Sequence, residues 1–197
     1  MSSNPAVQTP GSQALASEPF SAILKARTHD SHQAAESHAY HASLFGSQGP
    51  SFARTVFVAS LQQHLHIQET FEPLLRRAST SPSLFGDMIF PYHFHLEALR
   101  DDLLALGAAP GATPALPATT RFVAHIQSCA AEQGWALLGV WYVLEGSTNG
   151  GAIIAKKVKE LLALPDDRGT QFTNPHGSQT RPRWVQWQAG VNALNID

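Results

Sequence analysis

The sequence predicts an all-α, single-domain chain of about six helices. Apolar residues recur at three- and four-residue spacing through most of the chain, no stretch sustains the period-two alternation of a strand, and no internal repeat divides it. A length of 197 residues is enough for one substantial core without disulfide or metal staples.

Residues 1–19, MSSNPAVQTPGSQALASEP, are rich in Ser, Pro, Ala and Gln and poor in charge and bulky apolar side chains, so they read as a disordered segment ahead of a helical domain spanning 20–197. The first helix opens at Pro19 and carries Phe20, Ile23, Leu24, Ala34, Ala35, Ala39 and Leu44 to an end near Gly46, with no internal Gly or Pro. A second begins after Pro50 with Ser51 as cap and runs to the turn at Ser79–Pro82, a spine read as free of breakers. SLFGDMIFPY is irregular, and Pro91 introduces a third helix on which Leu96, Leu99, Leu103 and Leu106 form an amphipathic stripe. Ala108–Pro117 is a loop. The fourth helix runs from about Thr119 to Gln133, and Gly134 separates it from the fifth, Trp135–Leu162. Leu164-Pro165 closes that helix, and a short last helix is expected over Trp184–Leu194. The first and fifth helices are placed to flank a ligand.

Composition excludes several classes of function. A net charge of -2 with no basic stripe argues against nucleic acid. The longest apolar run, Trp135–Leu144, is about half of the roughly 20 residues a membrane span needs. Without a secretion-signal pattern at the start, the expected location is the cytoplasm, where the single Cys129 reads as a small buried residue.

The fifth helix, WALLGVWYVLEGSTNGGAIIAKKVKELL, has glycines in its middle. Each costs roughly 1 kcal/mol relative to alanine, so Gly146, Gly150 and Gly151 together cost about 3 kcal/mol. Two readings stay open: Gly146 and Gly150 share a face against which a flat ligand could lie, or Thr148–Gly151 is a turn between two helices. On the first helix, Lys25 and His32 are two turns apart on nearly one face, about 10 Å from each other. Glu36 follows His32 by four, close enough to orient the imidazole and leave its other nitrogen for a metal. His29 with His32 and Glu36, or His66 with Glu69 and Glu72, do not form a closed zinc motif. His93 and His95 read as lying on different faces of a helix, and Glu145 as a solvated or capping charge. Ser147 is not in a nucleophile elbow, and Gly146–Gly151 is not a phosphate loop.

Two runs together resemble one family. LKARTHDSHQAAE, residues 24–36, is similar to the proximal helix of the heme oxygenases, and YVLEGSTNGG, residues 142–151, resembles their distal glycine-rich helix. The second run is especially similar to the bacterial branch associated with bacteriophytochromes, whose distal helix carries LEGST-x-GG. The resemblance implies a helical bundle with heme b between the first helix and a glycine-kinked distal helix. His32 would be the axial iron ligand, Glu36 its orienting partner and Lys25 a partner for a heme propionate. Gly146 and Gly150 would let the distal helix pass closely over the porphyrin. Heme would be both cofactor and substrate, giving biliverdin, carbon monoxide and ferrous iron from O2 and electrons delivered by a ferredoxin or an NADPH-dependent reductase. A bacteriophytochrome would be the recipient of biliverdin.

The chain also departs from the family pattern. Ser147 stands where well-studied members carry an aspartate that organises proton-delivering water, so delivery would pass through Ser147, Thr148 or Asn149. Trp141 stands where many have a tyrosine near the propionates, with Tyr142 adjacent, and the basic residues of the last helix are displaced, leaving Arg183 as the candidate propionate contact. The alternatives are a heme carrier or sensor that does not degrade heme, or a helical interaction or pyrimidine-processing domain without heme.

Overall fold

The computed structural model describes residues 18–45, 49–81, 83–132 and 135–194. The expected disorder of the amino-terminal segment, the end near Gly46 and the boundary at Gly134 fall mainly or wholly outside the described residues. The helices are α1 (Phe20–Glu36), α2 (Ala39–Phe45), α3 (Pro50–Thr80), α4 (Leu96–Ala105), α5 (Pro117–Glu132), α6 (Ala136–Leu162) and α7 (Thr180–Asn192), with three short 3-10 turns and no strand among the described residues.

Long helices α3 and α6 carry the core, because each contributes to both apolar clusters. Phe57, Leu61 and Leu65 of α3 meet Leu99 and Leu103 of α4 and Val158 of α6 in one cluster. Phe71 and Leu75 of α3 meet Ile126 of α5, Leu138 and Trp141 of α6, and Trp187 and Val191 of α7 in the other. Within each cluster the α3 residues are spaced by four, which keeps them on one side of the helix. Each fully buried leucine, such as Leu99, stabilises the fold by about 2 kcal/mol. Cys129 is buried in the second of these clusters, as its sequence context suggests.

The structure corrects the sequence reading at three helix boundaries and one interior proline. The first helix breaks after Glu36, where Ser37 Oγ turns back to the carbonyls of Gln33 and Ala34 and His38 Nδ1 accepts the amide of Tyr40. These local bonds compete with the helix ladder without any glycine or proline. Pro73 does lie inside α3, and the helix continues through it on its exposed side. The third helix starts at Leu96: Pro91–His93 is a 3-10 turn, so His93 and His95 do not lie on one helix. The last helix starts at Thr180, earlier than Trp184.

The glycine-bearing helix is continuous from Ala136 to Leu162, which removes the turn reading of Thr148–Gly151. It stops where Ala163 takes φ 50° and Leu164 N–H donates to the Lys159 carbonyl. Residues 163–176 then fold back across α4 and α6. Asp102, fully buried on α4, accepts the amides of Gly169 at 2.8 Å and Phe172 at 2.7 Å and so clamps this segment. Burial pushes the Asp102 carboxyl above its usual range, partly offset by those backbone donors.

Candidate functional site

α6 has two unlike faces at its middle. Val143, Ser147, Gly150 and Ile153, spaced by four, three and three residues, form an exposed row. Val143 is 48% and Ile153 64% exposed. A Cβ added at Gly150 would meet nothing within 4 Å. At Gly146 it would lie 3.4 Å from the Trp184 ring of α7, an ordinary packing distance. Tyr142, half-buried one turn earlier, packs against Trp184 and Trp187. Ser147 Oγ donates to the Leu144 carbonyl.

The opposite face is closed. A Cβ at Gly151 would fall 1.8 Å from the Thr173 carbonyl oxygen, so this glycine exists to admit the 163–176 segment. Glu145 is 3% exposed and takes a 2.7 Å hydrogen bond from His176 Nε2, which corrects the expectation of a solvated or capping charge. Arg183 Nη1 lies 2.9 Å from His176 Nδ1, and its guanidinium covers the Tyr92 ring. Arginine can only donate, so His176 accepts at Nδ1 and carries its proton on Nε2. His95 Nε2 approaches Glu145 Oε2 to 3.9 Å, beyond hydrogen-bond range, and is buried without a hydrogen-bond partner. Burial opposes the Glu145 charge, but the His176 bond and the flanking imidazoles outweigh it and hold the carboxyl down at about 2. His93, buried against Trp141, accepts the Phe90 amide and is lowered to about 4, chiefly by burial.

Three donors that could hold a metal converge here: His95, Glu145 and His176. The hydrogen bonding decides against it. A metal on His176 Nε2 would displace the proton now given to Glu145, and Nδ1 could not take it up while facing Arg183. The zinc alternatives weighed from sequence are committed elsewhere: His66 to the Thr113 carbonyl, Glu69 to Arg100, and Glu72 to Arg76 and the Leu96 amide.

Among the described residues, α1 is anchored at its start. Phe20 and Leu24 join the Trp141 cluster, and the Ser21 amide donates to Asn192 of α7. Lys25, His32 and Glu36 are exposed; His32 Nδ1 lies 3.6 Å from Glu36 Oε1, with about 70% of both side chains in solvent. Glu36 is thus within reach of the imidazole, as the spacing predicts. A cavity of about 150 Å³ lies between α3 and α6, lined by Gln68, His93, Trp141, Glu145 and Thr148, and α1 lines no part of it. Arg183, read from sequence as a propionate contact, is turned inward to His176.

The sequence model of the heme oxygenase family matches residues 18–197. The chain belongs to the heme oxygenase family. Solved structures of the family show the same fold. Heme oxygenase from Leptospira interrogans has a TM-score of 0.77 at 24% identity, covering 91% of this chain and 88% of that one. Heme oxygenase-1 from the cyanobacterium Synechocystis sp. PCC6803, in complex with heme, has 0.74 at 20% identity over 91% and 81%. Heme oxygenase-2 from Synechocystis sp. PCC 6803, in complex with heme and NO, has 0.74 at 20% over 91% and 75%. No curated protein matches the chain in sequence.

Proposed function

We propose that this member of the heme oxygenase family cleaves heme to biliverdin, carbon monoxide and ferrous iron, using O2 and electrons from a ferredoxin or an NADPH-dependent reductase. The observation that carries the reading is Gly150. Gly151 has a packing reason and Gly146 seats a ring, whereas Gly150 costs the helix roughly 1 kcal/mol and faces open space between exposed Val143 and Ile153. A flat apolar ligand laid on that row explains all three residues. The donor chemistry fits as well: among the described residues the His32 imidazole approaches only the exposed Glu36 carboxylate, and neutral imidazole is a normal axial ligand for heme iron.

Heme b, when bound, supplies both the oxygen-activating iron and the macrocycle that is opened. His32 would hold the iron, with Glu36 orienting the imidazole through its other nitrogen. Lys25 would pair with a propionate, and Tyr142 would contribute to binding. Gly150 would admit the macrocycle close to the main chain, Gly146 would do so only with Trp184 displaced, and the Ser147 hydroxyl, which donates to the Leu144 carbonyl, would accept a hydrogen bond from water. Arg183 reaches a propionate only by leaving His176 and Tyr92. The LEGST-x-GG pattern supports a bacteriophytochrome as recipient of the product, and a cytoplasmic location accords with that role. No helix among the described residues is long and apolar enough to cross a membrane.

Hemin added to the pure protein gives a one-to-one complex with a Soret band that turns green under reductant and O2. His32→Ala abolishes the native coordination spectrum while leaving stability without hemin within about 0.5 kcal/mol, since the side chain is exposed. An unchanged spectrum in that variant would falsify the axial assignment. Ser147 favours one second reading, a carrier or sensor, because this position on the outer row offers a hydroxyl and no carboxylate. Intact heme recovered after prolonged reduction in air selects that reading.

A further inference from the structure

The closed face of α6 carries a hydrogen-bonded chain with a fixed direction. Arg183 donates to His176 Nδ1 and His176 Nε2 donates to Glu145 Oε1, so a neutral ring joins a cation to a carboxylate. The chain ties three elements together: α6, the 163–176 segment and the first turns of α7. The same segment is gripped by Asp102 and pressed against Gly151 through Thr173. Glu145 directly precedes Gly146, so the tie acts on the helical turn that presents the outer row.

A buried carboxylate is an expensive way to hold two helices together. Its desolvation costs several kcal/mol, and apolar side chains of similar volume often give equal or greater stability. What a directed polar chain adds is a unique geometry. On a helix of 2.3 Å Cα radius, a rotation of about 20° moves each Cα by roughly 0.8 Å, and misplacement on the order of 1 Å can cost about a hundredfold in a reaction rate.

We propose that Glu145 and His176 are positioning residues for the reaction: the Arg183–His176–Glu145 chain sets the rotation of α6 at which Ser147 and Gly150 face the macrocycle. The inference rests on the heme oxygenase reading above. Neither residue touches heme; both act through the backbone of α6.

The test compares Glu145→Ala with Glu145→Gln, which keeps an acceptor for His176. Amide hydrogen exchange is measured without hemin, followed by the ferric absorption spectrum and the ratio of biliverdin isomers after a single turnover. In the alanine variant, amides 145–151 are expected to exchange about tenfold faster while those of α5 are unchanged. The spectrum shifts and the isomer ratio changes about twofold. Glutamine returns all three readouts most of the way to wild type. Wild-type spectrum and isomers in a folded alanine variant overturn the proposal whatever the exchange shows, because the bridge is then only a structural tie. Should Glu145→Ala not fold, His176→Ala is read against the same criteria. Failure of the wild type to bind hemin, or to yield biliverdin, sinks the functional reading instead. If hemin binds without turnover, exchange and the ferric spectrum still decide whether the bridge sets the helix rotation.

Discussion

Gly150 and Gly151 are neighbours on one helix and answer to different demands. A methyl group at Gly151 would collide with the Thr173 carbonyl, and one at Gly150 would touch nothing. The inner face of α6 is shaped by the fold, with Glu145, Thr148 and Gly151 all buried against other parts of the chain. The outer face, with Val143, Ser147, Gly150 and Ile153, is left unused by the fold. Adjacent residues of one type therefore separate what the protein needs to be stable from what it needs to act.

Substitutions can break or sharpen that contrast. Gly151→Ala is expected to destabilise the protein by about 3 kcal/mol or more, because backbone cannot yield as a side-chain tip can. A urea midpoint close to wild type would show the 163–176 segment to be looser than it looks. Acid should act on the inner face in two steps. His93 is lowered from 6.5 to about 4, so it stays neutral in the fold while the unfolded chain takes up a proton. About 3 kcal/mol is lost as pH falls from 6.5 to 4. Glu145 is lowered from 4.5 to about 2, so its stabilisation is complete above pH 4.5 and a similar amount, about 3 kcal/mol, is lost between 4.5 and 2. Denaturation measured across pH should show the lower step vanish in Glu145→Gln and the upper one in His93→Phe. Gly150→Ala is expected to do the opposite of its neighbour, raising stability without hemin by about 0.5–1 kcal/mol, or some 1–4 °C in Tm, while weakening hemin binding. Tighter hemin binding in that variant would detach the outer row from the ligand.

Much of the fold was legible because it rests on local periodicity. The apolar periodicity of α3 and α4 predicts which side is buried, and Phe57, Leu61, Leu99 and Leu103 are; Trp141, read from sequence as standing near the propionates, is instead a core residue at 1% exposure. The placement of Lys25, His32 and Glu36 on one helix and of Gly146 and Gly150 on another was also legible, since spacing alone relates them. The inner network was not. Glu145 finds His176 from 31 residues away, and His95 comes within 3.9 Å of it only because Pro91–His93 turns instead of continuing a helix. No spacing rule relates such positions. The break at Ser37 was hidden for another reason: it is made by two side-chain hydrogen bonds and a histidine, without a residue that forbids helix. Gly146, Gly150 and Gly151, clustered at the middle of one helix, suggested a common cause, and only Thr173 reveals that Gly151 has a separate one.

The anchoring of α1 at Phe20, Ser21 and Leu24 bears on affinity. Beyond Leu24 the helix buries no residue, and an isolated stretch of about twelve residues is marginally helical in water. Under the proposed role of His32, binding would complete the ordering of this stretch, and part of the interaction energy would go into that rather than into retention. Such a grip would let go readily, which suits the proposed release of a product nearly as large as the substrate.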